Sequence, residues 1–127
     1  MVQLARGYGR GPMAAKDLAE HETIPRDFVD QLLMRLRRGG LVVSQRGAAG
    51  GYSLSRDPGK IDMASIVAAV EGQVFEEVCG RYSAGDARCR HQAVCGIRPV
   101  WQRLAEQIEG FLKQVTLAQL LDEVTVR

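Results

Sequence analysis

The chain has 127 residues, 46% of them hydrophobic and 25% charged, which is enough for one small core with an added element and short for two independent domains of usual size. Its formal net charge is only +2, but residues 1–60 hold ten Lys/Arg against six Asp/Glu while residues 61–127 hold seven against nine, so the N-terminal half is the one suited to a polyanion. No run approaches the roughly 18 apolar residues of a membrane span and no charged, apolar, small-residue series opens the chain, so a transmembrane segment and a secretory leader are both unexpected and a cytoplasmic protein is expected.

Gly7, Gly9, Gly11 and Pro12 form a breaker cluster. Residues before it read as the tail of a helix, and residues 13–21 as a second helix without a side chain suited to N-capping. Glu22, Thr23 and Ile24 make a turn, and Pro25 takes the first position of a third helix reaching about Arg38. In that helix Phe28, Val29, Leu32, Leu33 and Leu36 fall in one apolar stripe at helical period. The other side carries Arg26, Asp27, Asp30, Gln31, Met34, Arg35, Arg37 and Arg38. A helix entered from a short turn, with one buried face and one face rich in hydrogen-bonding groups, has the makings of a DNA-recognition helix. Arg26 suits guanine edges, Gln31 adenine, and Asp30 a cytosine amino group; Arg35, Arg37 and Arg38 suit phosphates.

Leu41, Val42 and Val43 then read as a strand and Tyr52, Ser53 and Leu54 as its partner. The tip between them holds Arg46 among Gly47, Gly50 and Gly51, a nearly side-chain-free turn from which an arginine can enter a groove. A basic helix followed by such a hairpin is the order of a winged helix-turn-helix. Candidate DNA contacts are therefore Arg26, Asp30, Gln31, Arg35, Arg38, Arg46, Gly50, Gly51 and Tyr52. The turn from Arg56 to Lys60 leads to Asp62, which caps a helix with Ile66, Val67 and Val70 inward and Gly72 at its end. A long helix from about Ile97 to Val115 repeats Ile97, Trp101, Leu104, Ile108, Phe111 and Val115 by threes and fours, a narrow seam that a two-fold dimer would bury. Thr116 restarts a short helix over residues 117–121 that folds back on the domain. The expected fold is mainly α with a small β-hairpin: a winged helix-turn-helix domain over residues 1–72, a cysteine loop over 73–96, and a dimerisation helix with a short C-terminal helix over 97–127.

All three cysteines, Cys79, Cys89 and Cys95, lie within seventeen residues in a C-x9-C-x5-C array that encloses His91. The odd count argues against a disulfide framework. Thiolates are soft ligands for iron–sulfur clusters, zinc or copper(I), and Arg81, Arg88 and Arg90 favour the thiolate form. The spacing is not that of a C-x2-C zinc ribbon. Free, oxidant-sensing thiols on a cluster-free regulator and a zinc-stabilised module that binds protein through its winged helix are the alternatives. No Ser-His-Asp set, phosphate loop or paired carboxylates point to an enzyme.

The stretch FVDQLLMRLRRGGLVVSQRGAAGGYSL (28–54), with IDMASIVAAVEG (61–72) and RPVWQRL (98–104), resembles the IscR/NsrR-type winged-helix regulators, bacterial sensors of iron–sulfur clusters, nitric oxide, redox state or iron supply. The resemblance covers nearly the whole chain. It implies a homodimer that binds a pseudo-palindromic duplex with an affinity set by an iron–sulfur cluster on Cys79, Cys89 and Cys95; the cluster type does not carry over by analogy, and 2Fe–2S is expected ahead of 4Fe–4S. It also equates Asp30 with the family's recognition-helix acid and Arg46 with its wing arginine. The chain departs from the family pattern in three places. Only residues 1–8 precede the breaker cluster where the family has a longer helix, the first two cysteines are more widely spaced, and Arg98 stands where some relatives have a histidine ligand. His91 is the local candidate for a fourth ligand, with Asp86, Glu76 and Glu77 able to serve through oxygen.

Overall fold

The computed structural model describes residues 1–72 and 96–125, Val124 and Thr125 by backbone only. Among them the order is α1 (Val2–Arg6), α2 (Ala15–Glu22), α3 (Arg26–Arg38), β1 (Val42–Gln45), β2 (Gly51–Leu54), a 3-10 turn (Pro58–Lys60), α4 (Met63–Glu71), α5 (Arg98–Gln114) and α6 (Leu117–Thr125). This is the mainly helical winged helix-turn-helix expected, with β1 and β2 forming one antiparallel hairpin.

Nine of the thirteen residues of α3 are Leu, Met, Arg or Gln, which lose little rotamer freedom in a helix, and none is glycine or proline. It buries Val29, Leu33 and Leu36, while Leu32 is half-buried. Phe28, expected in the same stripe, is 51% exposed. It stands roughly 100° around the helix from Val29, at the edge of the stripe, where the core does not reach. Pro25 is the N-cap rather than the first helical residue, and its carbonyl accepts from the N–H groups of Phe28 and Val29 at 3.1 Å.

Helices α2 and α3 end in the same way. The Ile24 and Thr23 N–H groups donate to the carbonyls of Ala19 and Glu20, at 3.0 and 3.3 Å, and those of Leu41 and Gly40 donate to Leu36 and Arg37, both at 3.0 Å. Both are Schellman closures, which need one left-handed residue. Gly40 supplies it freely at φ 73°, whereas Thr23 holds φ 55° against its β-branched side chain. The second closure uses Leu41 as the buried residue just past the helix, so β1 starts one residue later than expected and runs on to Gln45.

In the hairpin Val42 faces Leu54 and both are buried, while Val43 turns out to solvent, the period of two that fixes register. Met13 is not helical. Its N–H donates to the Tyr52 carbonyl at 2.9 Å and its carbonyl accepts from the Tyr52 N–H at 2.8 Å, so it closes the outer edge of β2. Helix α2 consequently begins at Ala15, with Ala14 extended.

Beyond the wing, Asp62 caps α4 as expected, accepting from the Ser65 N–H at 2.8 Å. A second backbone bridge ties this point to the far end of α5: the Met63 N–H donates to Val115 and the Leu117 N–H to Ile61, both at 2.8 Å. Thr116 and Gln119 cap α6 reciprocally, with bonds of 2.7 and 3.3 Å. Helix α6 is longer than the expected 117–121; it packs on α1 and the 3-10 turn, and Leu117 joins Ile61 in the core with no exposed surface. Helix α5 buries none of its residues.

Candidate nucleic-acid interface

The Thr23 closure turns the chain from α2 into α3, and α2 packs against the core side of α3. That leaves Asp27, Gln31, Met34 and Arg38, spaced by fours and threes, as an exposed outward row. On its flank Arg26 Nε lies 3.1 Å from both carboxylate oxygens of Asp30. The two residues expected to read different bases are thus joined to each other one helical turn apart. At the opposite flank Arg35 Nη1 donates to the Val70 carbonyl of α4 at 3.0 Å.

Arg46 is exposed at the tip of the wing, where the Gly50 N–H closes a turn onto the Gly47 carbonyl at 3.0 Å. Gly50 and Gly51 have structural reasons to be glycine. A Cβ on Gly50 would overlap the Gln45 carbonyl, and one on Gly51 would overlap the Met13 carbonyl that seals the hairpin edge. Tyr52 is half-buried against the core and bonded through its backbone to Met13. Gln31, Arg38 and Arg46 therefore reach solvent, Arg26 and Asp30 are paired, and Gly50, Gly51 and Tyr52 build the wing that carries Arg46.

Three features lay outside the sequence reading. Phe28 adds an exposed aromatic to α3. Met13 is a strand partner, foreshadowed only by the lack of an N-cap at this point in the sequence. Arg6, Arg10 and Asp17 line one open cleft beside Met13, which their place around the breaker cluster did not reveal.

Cys79, Cys89, Cys95 and His91, with Glu76, Glu77 and Asp86, lie outside the described residues. Among the described residues no group of three or more His, Cys, Asp or Glu side chains could hold a metal. None of the described helices is long and apolar enough to cross a membrane.

A helix-turn-helix with a solvent-facing recognition row, followed by an arginine-tipped wing, defines a DNA-binding transcriptional regulator. The family model Rrf2, an iron-dependent transcriptional regulator, matches residues 1–123, and the chain belongs to that family. It is 34% identical over 126 residues to the HTH-type transcriptional regulator IscR of Serratia proteamaculans (strain 568), covering 99% of this chain and 74% of that one. The corresponding IscR of Klebsiella pneumoniae is 34% identical over 122 residues, with 96% and 72% covered. Among solved structures, T. potens IscR superposes with a TM-score of 0.72 at 31% identity over 97% of this chain and 78% of its own. CymR (YrzC), the global cysteine regulator of B. subtilis, gives 0.72 at 28% identity over 96% and 87%. The relatives are named as regulators, so the protein belongs to a non-enzymatic class, as its motifs had led one to expect.

Proposed function

We propose that this protein is a cytoplasmic homodimeric regulator whose affinity for a pseudo-palindromic duplex is controlled by an iron–sulfur cluster held through Cys79, Cys89 and Cys95. The observation that carries the proposal is the gathering of every cysteine into one seventeen-residue stretch between α4 and α5. Three thiolates within so short a span are a donor set suited to an iron–sulfur cluster, and His91 is the nearest nitrogen donor. When bound, such a cluster supplies a redox centre whose potential depends on its ligands and surroundings.

Residues 1–72 are assigned to DNA binding, 73–96 to sensing and 97–127 to dimerisation. Support for the dimer comes from α5, where Trp101 and Leu104 are each 38% exposed and Phe111 65%. An amphipathic helix with that much apolar surface uncovered gains by packing on a second copy. A two-fold axis would set two copies of α3 about 34–36 Å apart, one turn of DNA. Arg38 and Arg46 then neutralise phosphates or enter a groove, Gln31 addresses a base edge, and Arg26 with Asp30 acts as a pair. In the sequence the cysteine stretch lies between α4 and α5, so cluster binding there is placed to move the recognition helices relative to the dimer axis. A typical coupling of about 1–3 kcal/mol changes operator occupancy roughly 5- to 150-fold.

The test is iron and sulfide analysis after anaerobic purification, followed by duplex binding of cluster-loaded and cluster-free protein at one salt concentration. Different affinities are expected; equal affinities would reject cluster control. One observation favours a second reading, direct thiol sensing without a cluster: a structural relative, Staphylococcus aureus CymR, is described in an oxidized form. Iron-free protein whose DNA affinity changes with oxidant would select that reading.

A further inference from the structure

We infer that Arg35 and Gly39 form a joint that sets the pose of the recognition helix against α4, and that Arg35 is a positioning residue and not a phosphate contact. The two residues lie one turn apart on one face of α3. Both meet the last turn of α4: Arg35 Nη1 donates to the Val70 carbonyl at 3.0 Å, and a Cβ on Gly39 would stand 2.8 Å from the Ala69 Cβ. Gly39 has φ −75° and ψ −2°, a conformation open to any residue, so its lack of a side chain serves this close approach and not a torsion.

The contact also answers a need of α4. That helix has no basic residue in its last turn, and Arg35 brings a positive charge and a donor to its C-terminal carbonyls from another element. Ile66, Ala69 and Val70 of α4 are half-buried against the core, and the joint adds a polar and steric anchor at the end of that packed face. The same end of α3 is fixed to the base of the wing, where the Ser55 hydroxyl donates to the Gly40 carbonyl at 2.7 Å and Arg56 Nη1 donates to it at 3.4 Å. Gln31 and Arg38 therefore point outward from a helix whose C-terminal half is clamped on two sides. Residue 73, where the cysteine-bearing stretch begins, is three positions beyond Val70, so the joint lies at the end of α4 nearest that stretch in the sequence. The inference rests on DNA binding by α3 and not on the cluster; a protein that proves cluster-free leaves it standing.

The test compares a duplex enriched from a random pool by the wild-type protein with an unrelated duplex of equal length. Arg35→Met is expected to weaken binding to the enriched duplex about tenfold, with binding to the unrelated duplex and the salt slope unchanged. Arg38→Met serves as the phosphate-contact reference: both duplexes weaken alike and the slope falls by about one. An Arg35→Met variant that behaves like Arg38→Met, or that loses nothing on either duplex, overturns the assignment. A size swap tests the steric half. Gly39→Ala should lose discrimination between the duplexes, and Ala69→Gly in that background should restore it. If Gly39→Ala does not fold, the double variant decides: failure to recover wild-type discrimination overturns the joint.

Discussion

Leu117→Ala is expected to destabilise the DNA-binding core although Leu117 lies on no element that carries a candidate DNA contact. Leu117 has no exposed surface and shares the core with Ile61, Leu4 and the α3 residues Leu33 and Leu36. The substitution removes three buried carbons, which at about 0.8 kcal/mol each is a transfer loss of roughly 2.4 kcal/mol. The cavity left behind raises the cost to about 2.7–5 kcal/mol. The bond from the Leu117 N–H to the Ile61 carbonyl belongs to the backbone and survives, so the loss is one of packing. Against a total stability of about 5–15 kcal/mol this is a large fraction. Denaturant unfolding followed by circular dichroism should show a lower midpoint with an unchanged slope, to the same extent at every protein concentration. Leu104→Ala, at a position 38% exposed on α5, should cost clearly less in the protomer. A Leu117→Ala protein within about 0.5 kcal/mol of wild type would refute the placement of α6 in the core.

Two further expectations follow from local geometry. Thr23→Gly should raise stability by about 0.5–1 kcal/mol in the same unfolding assay, because glycine adopts the left-handed conformation at φ 55° without the strain of a β-branched residue; a loss of stability would contradict this. Phe28→Ala should cost no more than about 2 kcal/mol, below the 3–5 kcal/mol of a buried phenylalanine, and a full-sized loss would return Phe28 to the core.

Much of the architecture is legible in nearest-neighbour chemistry. Helical spacing of Val29, Leu33 and Leu36, the Asp62 cap, the glycines of the wing and the restart at Thr116 each act within a few residues, so the order of elements follows from the chain itself. Glycine and proline identify the turns because their torsional limits are intrinsic to the residue. Even the Arg26–Asp30 pair, four residues apart on one helix, lies within reach of sequence reasoning, although reading each residue for its base partner hid it.

Other features depend on what crosses the fold, and only the tertiary structure decides them. Met13 leaves its expected helix because the open edge of β2 offers Tyr52 two backbone bonds, a partner thirty-nine positions away. Phe28 is exposed because the core ends short of it, which periodicity cannot see: an apolar stripe states which residues can be buried, not how far the opposing surface extends. Arg35 turns to Val70 because the end of α4 lies there with a carbonyl to satisfy. Sequence determined the order of the described elements and the chemistry they carry. Packing between distant elements decided which of those groups face solvent, and which hold the fold together.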